Sequence, residues 1–350
     1  MISGYQLKLK LQNKFLIPFC RRNRFLSSVY YCFFSKEFAR EHQKVLNGKH
    51  AHYLALKENK PNEFFLRREI HRLEKGLIMK DRRAVFAVDY ISGIVENYKI
   101  LCEAYHKDPS TVDIDLIYWA NGVVKTYFNS VDNHSVIEQA KKIFNNVNHI
   151  ANLSDNSEEL VPFIRSTREY NSIRFEDLYK LAWQRRSVRW FLNKEVSREL
   201  IEKAISIGTL SPSACNRQPF EFRIFDLIEK KNLVGSVPMG IKGFYTNVPV
   251  FIVVVGKLNA YISERDRHVM YIDCGLASMA FMFALETLGL SSMPVNWPDI
   301  EALERKMEKI VDLEEDERPL MLIGVGYADP NEKIPYSQKK SPGYLIRYNQ

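Results

Sequence analysis

The residues with the clearest potential for binding chemistry form two polar clusters, Arg185–Arg189 and Ser211–Phe220. Three guanidinium groups and one hydroxyl make up the first cluster: Arg185, Arg186, Ser187 and Arg189. Guanidinium groups form paired hydrogen bonds with phosphate oxygens, so this cluster is a candidate anion clamp. The second cluster is a turn of small residues with side-chain amides, which can contact a flat heterocycle. Together the clusters suit a phosphorylated aromatic cofactor.

A helix and several strands must position these clusters. Between them, Ser197 is a suitable N-cap for a helix that Gly208 ends, which delivers the chain to the second cluster. Glu221–Phe225 alternates like a strand, and Val250–Gly256 is an apolar run typical of a buried strand. A long helix is predicted at Arg265–Leu288. Its small residues allow another helix to approach closely, which makes it a candidate for a dimer interface.

The order of the two clusters resembles a known signature. Arg-x-Ser-x-Arg, then a helix, then Ser-Pro-Ser-x-x-Asn-x-Gln-Pro and an aromatic residue is similar to the N-terminal signature of the nitroreductase family. The resemblance runs from about Phe175 to the C-terminus, roughly half the chain. It implies an α+β fold in which a mixed or antiparallel sheet is flanked by helices. It also implies a homodimer that binds FMN between its subunits.

The resemblance further implies which residues hold the cofactor. Beyond the clamp, they come from the turn, from a loop after the long helix and from the basic tail: Pro212, Ser213, Ala214, Asn216, Gln218, Asn296, Trp297, Lys339 and Lys340. Three of the turn residues are expected to come from the other subunit: Pro212, Ser213 and Asn216. Asn296 and Trp297 are expected at the N5 edge of the flavin, where family members often have Glu-Gly, so the bulky Trp297 is a departure. Lys340 is expected to join the arginines on the phosphate.

A flavin would explain why the sequence lacks other catalytic motifs. It has no Gly-x-Ser-x-Gly, no Walker loop, no metal-ligand cluster and no carboxylate pair spaced for acid–base work, and no catalytic residue is assigned. The resemblance implies hydride transfer from NAD(P)H through flavin N5 to a small organic acceptor such as a nitroaromatic or a quinone, with ping-pong kinetics. Two alternatives stay open. One is a specialised flavin enzyme of the same fold, a dehydrogenase or a dehalogenase, including one of polysaccharide biosynthesis; the other is a non-catalytic flavin-binding protein that works through its N-terminal domain.

The first 150 residues differ from the rest in charge. Residues 1–83 hold 19 Lys and Arg against 7 Asp and Glu, although the whole chain has a net charge of +8. Helical periodicity from Glu63 to about Asn145 predicts a basic α-helical N-terminal domain at 1–150. Asn and Ser are abundant in Ala151–Glu159, so residues 151–165 are expected to be a linker. An FMN-binding domain that folds by itself is expected at 166–350.

The basic charge also bears on partners and location. The simplest interpretation is that the charge lies on a solvated helical face. The alternative is a binding surface for anionic lipid or nucleic acid. Without the pattern of a nucleic-acid module, nucleic acid is not expected. The apolar run Phe25–Phe34 is about half as long as a spanning helix, which leaves peripheral membrane contact open and argues against a signal peptide. The five cysteines include no C-x-x-C pair, so a reducing cytoplasm is the expected location.

Overall fold

A helical N-terminal half and an α+β C-terminal half make up the computed structural model, which describes residues 12–151, 160–165 and 172–349. The predicted linker at 151–165 falls mainly on residues 152–159, which lie outside the described residues. The predicted domain boundaries therefore stay a prediction.

The N-terminal half is a series of helices. They are α1 (Ile17–Cys20), α2 (Arg24–Phe33), α3 (Ala39–Lys57), α4 (Glu63–Leu77), α5 (Ile91–Lys107), α6 (Ile114–Phe128) and α7 (Ser135–Ala151). Side chains cap α2, α4 and α6. Asn23 Oδ1 accepts from Leu26 N and Asn62 Oδ1 accepts from Phe65 N, each at 2.9 Å, and Asp113 Oδ1 accepts from Asp115 N at 3.1 Å. The sequence predicted a helix from Val85, but α5 begins only at Ile91.

Helices α4 to α7 enclose a hydrophobic core of their own. Ile70, Tyr98 and Tyr127 are fully buried in it. The buried phenol oxygens have polar partners, because Asn121 Nδ2 donates to Tyr98 Oη at 2.9 Å and Tyr127 Oη donates to Phe86 O at 2.6 Å. This part of the N-terminal half therefore has the packing of a folded unit and is more than a surface extension.

A four-stranded sheet forms the centre of the C-terminal half. Its strands are β1 (Phe220–Phe225), β2 (Val250–Lys257), β3 (Ser291–Asn296) and β4 (Glu317–Gly326), in the spatial order β1-β2-β4-β3. All three strand pairs are antiparallel, which confirms the fold class expected from the sequence. The continuous apolar run of β2 is buried on both faces of the sheet, as its composition predicts.

Helices cover both faces of this sheet and bury one apolar layer on each. The helices of this half are α8 (Phe175–Gln184), α9 (Arg198–Thr209), α10 (Ile228–Gly235), α11 (Val269–Thr287), α12 (Glu301–Val311) and α13 (Pro342–Leu345). Helices α9 and α11 pack on one face, and α10 and α12 pack on the other. The stretch Glu264–Thr287, which contains α11, is long and apolar enough to cross a membrane. Half of its most apolar window is buried inside the protein, as in the core helix of a globular domain.

Close packing of α9 on α11 accounts for two of the small residues of α11. The dimer interface expected at this helix stays a prediction. Ala277 and Ser278 are buried within the same chain, where a Cβ added to Gly208 of α9 would lie 3.3 Å from Ala277 O. Ala277 and Ser278 thus serve a contact between α9 and α11 of one chain.

The two halves are joined by apolar and ionic contacts. Val45 of α3 and Phe64 of α4 share a buried cluster with Leu258, Tyr261 and Met270 of the C-terminal half. Three further residues of α3 reach across with polar groups: Arg40, Lys44 and His52. The N-terminal helices consequently contribute to the packing of the α+β half.

Candidate functional site

The predicted anion clamp lies where α8 ends and the chain crosses one end of the sheet. Val188 N donates to Ser292 O at 3.1 Å, and Leu192 N donates to Tyr327 O at 2.8 Å. The segment therefore spans the point where β3 begins and β4 ends. Its backbone is held by the sheet on both sides of the arginines.

Asn247 fixes the middle of the same segment. Its Nδ2 donates to Arg189 O at 2.8 Å, and its Oδ1 accepts from Phe191 N at 3.3 Å. Both ends of one amide thus hold the backbone beside the last clamp arginine. Nothing in the local sequence signals this role, because Asn247 lies 56 residues after Phe191.

The three arginines of the clamp differ in how their side chains are engaged. Among the described residues, no carboxylate lies within 4.0 Å of the side-chain nitrogens of any of them. Arg186 lies over the Trp183 ring at 4.9 Å and donates to Arg185 O at 3.0 Å, so it is committed to its own chain. Nε of Arg185 is buried without a hydrogen-bond partner in the described structure. A buried guanidinium nitrogen left unpaired is what a site for an absent anion would show.

The amide-rich turn is held in an unusual backbone conformation. Cys215, Asn216 and Gln218 have φ of 54°, 52° and 52°, in the left-handed region that L-residues seldom adopt. Gln218 N donates to Ser213 Oγ at 3.0 Å, and Gln218 Nε2 donates to Asn216 Oδ1 at 3.1 Å. Three such residues in four positions persist only where the surroundings enforce them, which is common at ligand sites.

Two elements enforce this turn. Ala214 N donates to Asp273 Oδ2 of α11 at 3.1 Å, and helix α4 of the N-terminal half packs against the turn. Asp273 is buried, and burial raises the pKa of its carboxyl group. Sequence reasoning treated Asp273 only as one of several short side chains along the helix. A carboxylate among the apolar residues of the helix was the available signal, since such a group needs a donor when it is buried.

Within one chain, the clamp and the turn lie far apart. The clamp crosses the sheet end at β3, whereas the turn leads into β1 at the opposite end and on the opposite edge. The strands place them about 20 Å apart along the sheet and about 14 Å apart across it. Helix α11 gives the same distance between clamp and turn. Its Asp273 lies at the turn, and its Glu286 lies beside the clamp, where it accepts from Gln184 at 3.4 Å. These two carboxylates are about 20 Å apart by helical rise.

The loop after β3 was expected to contact the flavin, and that contact stays a prediction. Asn296 is the exposed last residue of β3. Trp297 is partly buried and donates from Nε1 to Glu304 Oε1 at 2.9 Å, so its indole packs on the core beneath the loop. Ile300 occupies the N-cap position of α12, and Asp299 just before it pairs with Arg40 and Arg318.

The side-chain contacts described for the basic tail join residues of the tail itself. Lys340 Nζ lies 5.0 Å from the Tyr344 ring centre, and Gln338 Nε2 donates to Lys339 O at 2.9 Å. Both lysines are exposed. Their expected place at the phosphate stays a prediction.

Comparison with known protein families gives the family of the C-terminal half. The model of the Nitroreductase family matches residues 182–237 and 228–327, a region that contains the clamp, the turn and all four strands. Residues 182–327 form a nitroreductase domain. The clamp residue Arg185 stands three residues inside the start of the match.

Proteins similar to the nitroreductase domain carry more than one name. An iodotyrosine deiodinase of Thermotoga neapolitana is 28% identical over 193 residues, which cover 49% of this chain and 97% of that protein. A putative NADH dehydrogenase/NAD(P)H nitroreductase of Methanothermobacter thermautotrophicus is 27% identical over 159 residues, covering 44% of this chain and 79% of that protein. A solved structure with the same putative name, from Bacteroides thetaiotaomicron, is 27% identical with a TM-score of 0.43 and covers 49% of this chain and 96% of its own.

Close packing beneath the clamp leads to a prediction on stability. A Cβ added to Gly326 would lie 2.7 Å from Phe191 Cδ1 and 2.8 Å from Pro249 Cδ, and the proline ring cannot move aside. Gly326→Ala is therefore expected to lower the free energy of unfolding of the nitroreductase domain by about 1–3 kcal/mol. Gly243→Ala is the matched control, because a Cβ there meets nothing within 4 Å. Chemical denaturation that gives both variants the same midpoint would contradict this account of the packing.

Proposed function

We propose that this protein is an FMN-dependent oxidoreductase. The observation that carries the proposal is the clamp, where Arg185 and Arg189 have no carboxylate partner among the described residues and Arg185 Nε is buried and unpaired. A phosphate group of charge near −2 fits these donors, and each charge-assisted hydrogen bond contributes about 1.5–3 kcal/mol. When bound, FMN supplies hydride acceptance and donation at its N5 atom.

The proposed site needs a second copy of the chain. Since the clamp and the turn are at opposite ends of one sheet, both can contact one FMN only if the turn comes from a partner subunit. A stripe on the outer side of α11 supports this arrangement: Ile272, Leu276, Met279 and Phe283. These residues recur at helical spacing, and the first two are exposed in the single chain. Burying such a stripe against its own symmetry mate would make an isologous dimer.

In this proposal NAD(P)H is the donor and a nitroaromatic, a quinone or a related small molecule is the acceptor. The described part of the site offers no dedicated acid or base, so the protein's task is to bind and orient. Donor and acceptor then use the same open face in turn. Initial rates at several acceptor concentrations should give parallel double-reciprocal lines, and intersecting lines would contradict the shared face.

A second reaction class is reductive dehalogenation. The observation that favours it is the name of several relatives, which include the Thermotoga neapolitana protein and the iodotyrosine deiodinase 1 of Sus scrofa, 23% identical over 220 residues. The second match covers 53% of this chain and 74% of that protein. In this alternative the acceptor is a halogenated aromatic, whose carbon–halogen bond is replaced by carbon–hydrogen with release of halide.

The spectrum of the purified full-length protein tests the proposed cofactor. Absorption bands of oxidised flavin, bleaching with NADH or NADPH under argon, and release of FMN on heating are expected. FAD in the released fraction, or no binding after incubation of the apoprotein with excess FMN, would overturn the proposal. A bound flavin that neither nicotinamide reduces would favour the non-catalytic alternative.

A panel of acceptors then separates the reaction classes. The reduced protein is mixed anaerobically with a quinone, a nitroaromatic or an iodinated phenol, and reoxidation is followed at the flavin band. Fast reoxidation by the quinone or the nitroaromatic supports the first class. Reoxidation by the iodinated phenol alone, with one iodide released per flavin reoxidised, supports dehalogenation.

A further inference from the structure

An aromatic and basic surface at the start of the described chain is not used by the proposed site. Helices α1 and α2 pack mainly on each other, and Ser27 Oγ of α2 donates to Cys20 O of α1 at 3.1 Å. No residue of α2 is fully buried. The pair therefore forms a helical hairpin that stands on the surface of the N-terminal half.

Large apolar side chains face outward from this hairpin. Phe25 is 75% exposed near the start of α2, and Phe33 is 80% exposed at its end, next to the exposed Cys32. Phe15 and Phe19 extend the exposed surface towards α1. We call this set the aromatic face: Phe15, Phe19, Phe25 and Phe33. Four phenylalanine rings more than half exposed within 19 residues exceed the scattered single apolar side chains that are normal on soluble proteins, so the face needs an apolar partner.

Positive charge surrounds the aromatic face. Residues 1–36 contain seven Lys and Arg and no Asp or Glu. Lys14 Nζ lies 5.2 Å from the Phe15 ring centre, and the Arg22 guanidinium lies 6.0 Å from that of Phe19. In the described chain, no carboxylate lies within 4.0 Å of Lys14, Arg21, Arg22 or Arg24. The partner must therefore offer negative charge next to apolar groups.

An anionic membrane surface meets both requirements, and two other occupants do not. An isologous contact with a second copy would bring the same unpaired positive charges face to face. A nucleic-acid duplex would pair with the charges through its phosphates but leave the phenyl rings of the hairpin in water, because its bases are stacked inside the duplex. In a bilayer, the rings enter the boundary between headgroups and acyl chains while Lys and Arg remain among anionic headgroups.

We propose that α1 and α2 bind the protein to the surface of membranes that contain anionic lipids. Helix α2 has ten residues, about half of what a spanning helix requires, so the hairpin lies in the interface without crossing it. Apolar insertion and attraction between charges act together, and such double anchoring is what makes peripheral binding stable. A cytoplasmic protein, as the sequence suggests, meets anionic lipid on the inner leaflet.

Vesicle sedimentation with the full-length protein tests the proposal. The expected result is binding to vesicles of phosphatidylcholine with about one third phosphatidylserine, weak binding to phosphatidylcholine alone, and loss of binding as salt is raised. Phe25→Ser combined with Phe33→Ser should weaken binding at least tenfold. Arg21→Gln and Arg22→Gln should each weaken it about fivefold.

Matched controls change residues of the same type elsewhere. Tyr336→Ser with Tyr348→Ser removes two exposed rings of the tail, and Lys230→Gln with Lys333→Gln removes two exposed charges. These variants should bind like the unaltered protein. Equal weakening in the controls, or no binding to anionic vesicles at all, would overturn the proposal. So would a change from dimer to monomer in the Phe25 and Phe33 variant with vesicle binding intact, which would assign the aromatic face to a second copy.

Discussion

Replacing Arg185 by alanine is expected to weaken FMN binding more than tenfold. Arg185 has a buried Nε without a partner, and no described carboxylate lies within 4.0 Å of its guanidinium. Loss of a charge-assisted phosphate contact costs about 1.5–3 kcal/mol, and about 1.4 kcal/mol corresponds to a factor of ten in the dissociation constant. Quenching of FMN fluorescence during titration of the apoprotein measures the change.

Two other arginines serve as controls for this experiment. Arg174 stands at the start of α8 and is paired with Asp177 at 3.0 Å, so Arg174→Ala should leave the dissociation constant unchanged. Arg186→Ala should have a smaller effect than Arg185→Ala, because the Arg186 side chain already lies over Trp183. An unchanged constant for Arg185→Ala, or an equal loss for Arg174→Ala, would show that the phosphate is bound elsewhere.

Replacing Arg40 by methionine is expected to lower the free energy of unfolding by about 3 kcal/mol, because it breaks a buried ion pair between the two halves. Arg40 of α3 is almost fully buried and pairs with Glu304 at 3.0 Å and Glu301 at 2.8 Å, as well as with Asp299. Glu304 has no exposed surface, and it also accepts from Trp297 and Arg318. Without Arg40, Oε2 of Glu304 loses its positively charged partner. Urea denaturation of the full-length protein measures the loss.

Arg305→Ala is the matched control for Arg40. Arg305 pairs with the same Glu301, but its side chain is 72% exposed, so removing it should cost at most about 1 kcal/mol. Similar losses for the two variants would mean that the contact between α3 and the nitroreductase domain adds little stability.

The ion pair between Arg40 and Glu301 also makes stability depend on pH, because Arg40 is the main cause of a lowered pKa at Glu301. That contribution is present above the ordinary pKa of glutamate and is lost as the pH falls through the lowered value.

The parts of the fold that the sequence predicted depend on local patterns. A helix was predicted between Ser197 and Gly208, where α9 runs from Arg198 to Thr209, and the apolar run of β2 was predicted as a buried strand. The turn was identified by its small residues and amides, and it is held by short-range bonds such as Gln218 N to Ser213 Oγ. In each case the determining contacts lie within a few residues of one another, so the local sequence contains the information.

The parts that the sequence did not predict depend on contacts between distant residues. Asn247 holds Arg189 from 58 residues away, and Arg40 pairs with Asp299 from 259 residues away. The separation of clamp and turn follows from strand order, which no single segment encodes. A sequence read alone therefore identified both clusters but not their positions at opposite ends of one sheet.

The claim that one FMN is held by the clamp of one subunit and the turn of the other is tested most directly with mixed dimers. Subunits with Arg185→Ala and subunits with Asn216→Ala are produced together with different affinity tags, and the heterodimer is isolated by successive use of both. Pure dimers of either variant should bind FMN weakly at both sites. The heterodimer has both changes in one site and none in the other, so one FMN per heterodimer should bind with the affinity of the unaltered protein. Weak binding at both sites of the heterodimer would contradict the account, because it would mean that clamp and turn of the same chain form the site.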